Sequence, residues 1–268
     1  MHIAIVGAAG MIGRKLAKAV AAGGRIGGTA ASRLTLVDVA PIEPGEAAMP
    51  VETLAMDVSL ASEAARVAGL KPDLIFHVAA TAMGQADSDF AAGYRINFET
   101  VRALLEAIRL AGTQPRFVYT SSIGVYGAPF PAVIPDDFPL KPDSSYGTQK
   151  VMSELLLDDY ARRGFLDPIG LRLPTIAVRP GKPTFGNSGF FSNLIREPLA
   201  GREAILPVDP ATRHWIASPR AAVGYLLHAA AVDTAPLGAE RSLVMPGLSV
   251  SVEEEIEALR RVAGDAAV

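Results

Sequence analysis

Ile3-Ala4-Ile5-Val6-Gly7-Ala8-Ala9-Gly10-Met11-Ile12-Gly13 is the stretch that decides the fold. Ile3 to Val6 is a short apolar run without polar alternation, as in a buried parallel strand. Met11 to Ala22 reads as a helix, and the glycines between the two recur at every third residue. Gly7 permits a tight turn, Gly10 lets backbone N–H groups approach a phosphate, and Gly13 allows close helix–strand packing. The helix N-terminus, at Met11 and Ile12, adds partial positive charge. A strand, a glycine loop and a helix in that order form a dinucleotide cradle.

Outward from that loop, strand-like and helix-like segments alternate. Strands are expected at Leu34 to Asp38, Val51 to Ala55, Leu74 to Val78, Phe117 to Thr120 and Ile169 to Leu173. Helices are expected at Ala61 to Ala68, Ile96 to Leu110 and Tyr146 to Arg163. This alternation predicts an α/β fold, a doubly wound parallel Rossmann-type sheet covered by helices on both faces. After Pro174 prolines and glycines punctuate the chain, and helices at Ser192 to Leu199, Pro219 to Ala231 and Val252 to Val262 no longer alternate cleanly with strands. The expected division is therefore 1–174 for nucleotide binding and catalysis, and 175–268 for a small C-terminal cap over substrate.

Bulk composition narrows the function. With 268 residues, half of them hydrophobic, the chain can bury a large core. The net charge of −3 is spread along the chain. No basic block tracks a phosphate backbone, so nucleic acid is not an expected partner. The absence of cysteine excludes disulfides, thiolate metal sites and cysteine nucleophiles. Four histidines in no ligand-like spacing suggest no metal. The start, Met1-His2 followed at once by a strand, and the lack of a long apolar run lead to the expectation of a cytoplasmic protein with no membrane partner.

Two groups carry the chemistry. Asp38 closes the second strand, where a carboxylate accepts hydrogen bonds from ribose hydroxyls and repels a 2′-phosphate, favouring NAD over NADP. Asp57, followed by Val58, either faces the adenine amino group or caps a helix. Tyr146 and Lys150 stand at i and i+4, on one face of an expected helix that Pro142, Asp143 and Ser144 stop and cap. A phenol is a poor base at neutral pH, but a neighbouring ammonium and a cationic ring favour the phenolate. Tyr146 can then take a proton from a substrate hydroxyl while hydride leaves the same carbon. Thr120-Ser121-Ser122 ends the fifth strand, on the edge where doubly wound sheets bind ligands. Ser122 can hydrogen-bond the reacting oxygen, with Ser121 supporting the loop.

The glycine loop, Asp38, His77-Val78-Ala79-Ala80, Asn97, Tyr119-Thr120-Ser121-Ser122 with Val125-Tyr126-Gly127, and Tyr146-x-x-x-Lys150 together resemble the extended short-chain dehydrogenase/reductase family, which includes the NAD-dependent nucleotide-sugar epimerases and dehydratases. The resemblance runs over nearly the whole chain. It implies NAD as cofactor, Ser122 as the hydroxyl donor, Tyr146 as the base and Lys150 as its support. It places Ala79 and Ala80 along the cofactor through their backbone, and Pro174 and Ile176 by the nicotinamide carboxamide. Asn97 is either a contact near the cofactor or a polar residue on a helix flank. His77 owes its place to the end of its strand rather than to proton transfer.

Three segments are similar to a narrower group, the NAD-dependent D-erythronate dehydrogenases, which oxidise the 2-hydroxyl of a four-carbon sugar acid. They are Ser144-Ser145-Tyr146-Gly147, Leu171 to Pro183 and Ile195 to Gly201. The resemblance makes the expected substrate a small sugar acid, met by Thr81, Ser122, Ile123, Tyr146, Thr175, Arg179, Asn187, Ser188 and Arg213. Arg179 and Arg213 either clamp its carboxylate or sit in surface salt bridges. Phe190 and Trp215 are expected in the cap core. Relatives usually continue beyond the helix ending near Val262, so part of the usual cap is expected to be missing. The rival readings are an epimerase that recycles its NAD and a non-catalytic dinucleotide sensor. Ser122 is followed by Ile123-Gly124 rather than acidic residues, which argues against dehydration. By analogy with relatives, helices Ile96 to Leu110 and Tyr146 to Arg163 are expected to pair in a homodimer.

Overall fold

The computed structural model describes residues 1–181 and 188–265. β1 (His2–Val6) leads into α1 (Met11–Ala21), a small hairpin of β2 (Arg25–Ile26) and β3 (Thr29–Ala30), then β4 (Arg33–Asp38) and β5 (Val51–Ala55). Next come α2 (Ala61–Gly69), β6 (Leu74–His77), α3 (Met83–Ser88), α4 (Phe90–Tyr94), α5 (Thr100–Ala111), β7 (Arg116–Ser122), α6 (Ser145–Arg162) and β8 (Asp167–Leu173). The remainder carries β9 (Thr175–Ile176), α7 (Gly189–Leu199), β10 (Arg213–Ala217), α8 (Pro219–Ala229), β11 (Ser242–Val244), β12 (Leu248–Ser251) and α9 (Val252–Ala263).

The main sheet has the order β11-β8-β7-β6-β1-β4-β5, and every neighbouring pair in it is parallel. Both faces of β1 are apolar, which is why its sequence shows no alternation. Ile3 and Ile5 face one way, with Leu34, Leu36, Phe76 and Val118, onto α1 and α8. Ala4 and Val6 face the other way, with Ile75, Phe117 and Tyr119, onto α2, α5 and α6. Leu104 of α5 is fully buried in that second layer, and truncating such a leucine to alanine costs about 2–5 kcal/mol. The chain winds outward from β1 to β4 and β5, then returns to β6 on the other side. The switch falls between β1 and β6, so the loops after these strands diverge and leave a crevice at their carboxyl ends.

Two expectations are corrected here. The helix expected over Ile96 to Leu110 is interrupted. Arg95–Glu99 forms one wide π turn between α4 and α5, with the Thr100 hydroxyl bonding back to Ile96 O at 2.7 Å. That turn carries Asn97 into the interior, where polar atoms need partners, and it finds them. The division at residue 174 is not a clean cut either. β11 pairs with β8, and α8 packs against β8 and α1 and joins the main core. The flank of β8 would otherwise be open, and the later chain covers it. Among the described residues, β9, β10, β12, α7 and α9 build the smaller layer, with Phe190, Phe191, Leu194 and Val252 at its centre. Phe190 is buried there as expected, whereas Trp215 is half-buried and donates to Met245 O at 3.1 Å. No described helix is long and apolar enough to cross a membrane.

Candidate active site

The glycine loop sits at the switch point. Gly7 has φ +92°, donates to Val37 O at 2.8 Å, and a Cβ there would strike the Ala79 backbone. Gly13 is equally constrained, since its Cβ would strike Gly7 O and Ala8. Gly10 differs. A Cβ on it would meet nothing nearer than Gly7 O at 3.4 Å, and the residue is exposed. The protein's own packing does not require glycine there, whereas a phosphate lying on the backbone does. The first turn of α1, with Met11 and Ile12, has no side-chain cap and no acidic residue. Its N–H groups and dipole are thus available to an anion. A dinucleotide pyrophosphate fits this cradle.

Asp38 lies beside the loop, accepting from Ala9 N at 2.9 Å and from Ala40 N at 3.1 Å. It closes β4, the strand next to β1, where a ribose would follow the pyrophosphate. Asp57 is more committed. One oxygen accepts from Ser59 N and Oγ at 3.0 and 2.6 Å, and the other pairs with Arg95 at 2.5 Å. Burial works to raise its pKa, but Ser59 and Arg95 outweigh that and hold it below the usual carboxylate range. The helix-cap alternative does not describe Asp57, because the residue before α2 is Leu60. Val58 is buried in the core.

Tyr146, Lys150 and Ser122 come together at the carboxyl end of β7. Ser144 caps α6 by accepting from Gly147 N at 3.0 Å, which fixes where the helix starts. A Cβ at Gly147 would strike the Gly124 carbonyl, so the helix lies tight against the turn after Ser122. The Ser122 hydroxyl accepts from Gly124 N at 3.1 Å and lies close enough to the phenol of Tyr146 to pull its pKa down. Burial raises the Tyr146 pKa, and the Ser122 hydroxyl and the Arg179 charge pull against it without overcoming it. Lys150 is 1% exposed and donates to Thr120 O at 2.8 Å. Burial lowers its pKa to about 7, against an upward pull from Glu154.

A buried polar brace stands behind this group. Asn97 accepts from Thr81 N at 2.9 Å and donates to Gln149 at 2.8 Å, and Ser153 donates to its carbonyl at 3.4 Å. Asn97 thus ties the loop after β6 to α6, next to Lys150. The Thr81 hydroxyl donates to Gln85 at 2.7 Å. Ala80 is exposed beside it, and Ala79 packs its backbone on Gly7. His77 is fully buried with both ring nitrogens unpartnered. Burial and the Lys150 charge hold its pKa down at about 3, so the ring is neutral at neutral pH.

On the cap side the expected residues separate. Pro174, Thr175 and Ile176 are buried where β8 passes into β9. Arg179 is half-buried, its charge is felt at Tyr146, and with Pro180, Ala9, Met11 and Arg14 it lines a cavity of about 450 Å³. Its backbone is held by Ser192 at 2.9 Å and Arg196 at 2.6 Å, both from α7. Arg213 takes the salt-bridge alternative. It is exposed, bonded to Ser249 O at 2.7 Å and paired with Glu254 at 3.2 Å. Successive strand residues face opposite ways, and it is the next residue, His214, that turns to Thr175 Oγ1 at 2.5 Å and stacks on Phe191. His214 was missed by sequence reasoning because nothing local marks it. Ser188 caps α7 without a side-chain bond, Ile123 opens the short turn after Ser122, and Asn187 lies outside the described residues.

Known proteins share this architecture and sequence. A model of the NAD dependent epimerase/dehydratase family matches residues 3–238. The D-erythronate dehydrogenase of Cupriavidus necator is 46% identical over 271 residues, covering 99% of this chain and 83% of that protein. That of Haemophilus influenzae is 37% identical over 267 residues, covering 99% of this chain and 84% of its own length. The crystal structure of a nucleoside-diphosphate-sugar epimerase from Agrobacterium tumefaciens matches with a TM-score of 0.94 and 54% identity, over 100% of this chain and 80% of that one. The chain belongs to the NAD dependent epimerase/dehydratase family, and is an NAD-dependent enzyme of that family.

Proposed function

We propose that this enzyme oxidises the 2-hydroxyl of D-erythronate, or a closely similar sugar acid, to the 2-keto acid. The observation that carries the reading is the convergence of Ser122, Tyr146 and Lys150 at the same carboxyl edge of the sheet as the glycine loop, in a chain similar over its length to two D-erythronate dehydrogenases. NAD supplies the hydride acceptor. Gly7, Gly10, Met11, Ile12 and Gly13 hold its pyrophosphate, Asp38 its ribose hydroxyls, and Ala79, Ala80, Pro174 and Ile176 line its path. Asp57, Val58 and Asn97 support the walls of that site. Tyr146 takes the proton of the substrate hydroxyl, Ser122 holds the same oxygen, and the ammonium of Lys150 favours the phenolate. Arg179 binds the substrate carboxylate, with Thr81, Ile123, Thr175 and Ser188 around the carbon chain. Incubating purified protein with NAD and D-erythronate tests this, and reduced cofactor should accumulate in proportion to acid consumed.

A second reading is favoured by the epimerase name of the Agrobacterium tumefaciens structure. An epimerase recycles its cofactor, so a UDP-sugar would be inverted without net reduced cofactor. The same assay with a UDP-sugar separates the two. The enzyme is further proposed to be a homodimer through α5 and α6. Leu155 of α6 and Leu110 of α5 are exposed apolar residues on these helices. A monomeric mass at micromolar concentration would remove that element.

A further inference from the structure

Three residues of α6 at four-residue spacing, Tyr146, Lys150 and Glu154, share one helix face. They meet three consecutive residues at the end of β7. Tyr146 feels the Ser122 hydroxyl, Lys150 donates to Thr120 O, and Glu154 accepts from the Ser121 hydroxyl. Glu154 is 2% exposed, yet it is not alone. Arg172 faces Ser121 across the β7–β8 register and donates to Glu154 through Nη2 at 2.8 Å and through Nε at 3.1 and 3.2 Å. Its remaining nitrogen, Nη1, donates to Tyr126 OH at 3.0 Å. A buried ion pair adds little stability over well-packed apolar residues of the same volume. Stability alone therefore does not account for two charges sealed one helical turn behind the tyrosine–lysine pair.

We propose that Glu154 is a positioning residue for the catalytic pair, tying the end of β7 to α6 through Ser121 and Arg172 and setting a fixed negative charge beside the Lys150 ammonium. The inference rests on the reading of Tyr146 and Lys150 given above. Lys150 is surrounded by few other charges. From α6 it is faced by Tyr146 and Glu154, from β7 by Tyr119, whose ring lies 4.7 Å from Nζ, and from β6 by the neutral His77. Arg172 of β8 is paired with Glu154, and Asn97 near the helix is uncharged. Burial drives Lys150 toward its neutral form, and Glu154 is the group that opposes this. Without the carboxylate, the ammonium gives up its proton at lower pH and no longer favours the Tyr146 phenolate.

The test compares wild type, Glu154→Gln, and the double variant Glu154→Gln with Arg172→Met, which removes both charges and leaves no unpaired cation buried. The first readout is the titration of Lys150, followed in cofactor-free protein by its 13Cε resonance and assigned by its loss in Lys150→Arg. Its midpoint should fall by about one pH unit in both variants. The second is the acid limb of kcat/KM for oxidation, whose midpoint should rise while NAD affinity changes less than about twofold. A merely structural role would lower the Tm of Glu154→Gln, restore it in the double variant and leave both titrations unmoved. A double variant that titrates like wild type overturns the proposal, whatever the single variant does. Tyr146→Phe run alongside keeps the two claims apart. If it retains turnover, the base assignment fails, and the Lys150 titration still judges Glu154.

Discussion

The Lys150 ammonium lies 5.6 Å from the centre of the Tyr146 ring, held there by its bond to the Thr120 carbonyl. An exposed Tyr-x-x-x-Lys pair on a helix would have no such anchor. Here Lys150 is fixed against the strand end that doubly wound sheets use for ligands, with the Tyr146 ring beside it.

Removing the phenolic oxygen isolates its role. Tyr146→Phe leaves the ring against Lys150 and touches no part of the glycine loop. Turnover should fall by about 10³-fold or more, since positioned acid–base groups contribute up to about 10⁴. NAD binding, followed by protein fluorescence or by the rise in Tm with NAD, should stay close to wild type. Retained turnover would mean that another group takes the proton.

Asp38→Ala removes the acceptor next to the loop. It also frees Ala9 N, which Asp38 holds at 2.9 Å. NAD affinity should weaken by about tenfold or more, the worth of at least one charge-assisted hydrogen bond. The preference for NAD over NADP should narrow, because the repulsion of a 2′-phosphate goes with the carboxylate. Paired dissociation constants for the two cofactors check this, and an unchanged ratio would remove the ribose assignment.

Arg179 lies between the phosphate loop and Tyr146, so its partner can be read from which affinity it controls. Arg179→Ala should raise KM for the acid by about tenfold or more, as expected for losing a charge-assisted contact to a carboxylate. The NAD dissociation constant should hardly change. A larger effect on NAD than on the acid would assign this arginine to the cofactor.

Glu255 gives a stability prediction away from the chemistry. It is 6% exposed on α9, and neither carboxylate oxygen has a partner. Burial raises its pKa from 4.5 to about 7. The folded state therefore keeps a proton that the unfolded chain has lost, and the stability this contributes fades as pH rises from 4.5 through about 7. Glu255→Gln should remove that slope and stabilise the protein at pH 8 by roughly 1–3 kcal/mol. Denaturant melts of both proteins at acid and alkaline pH measure it. A variant that is no more stable at pH 8 would contradict the account of Glu255.

How much of this was legible beforehand differs by element. Ile3-Ala4-Ile5-Val6 and the three glycines announce β1, the loop and α1 because each step depends on local periodicity and backbone freedom. Tyr146 and Lys150 were legible for the same reason, as a spacing on one helix. The π turn at Arg95–Glu99 was not, since the apolar pattern around it continues helically and only the tertiary partners of Asn97 select the wider turn. His214 and Arg213 are neighbours in sequence with opposite surroundings, and strand phase alone decides which meets Thr175. The return of β11 to the main sheet depends on pairing across a long stretch of chain, which no local window contains.

The most direct test is reduced-cofactor formation from D-erythronate and NAD by wild type and by Tyr146→Phe, assayed at matched NAD saturation. The account predicts stoichiometric reduced cofactor with wild type and almost none with the variant. Equal rates in the two proteins, or no reduced cofactor from wild type while a UDP-sugar is inverted, would contradict it.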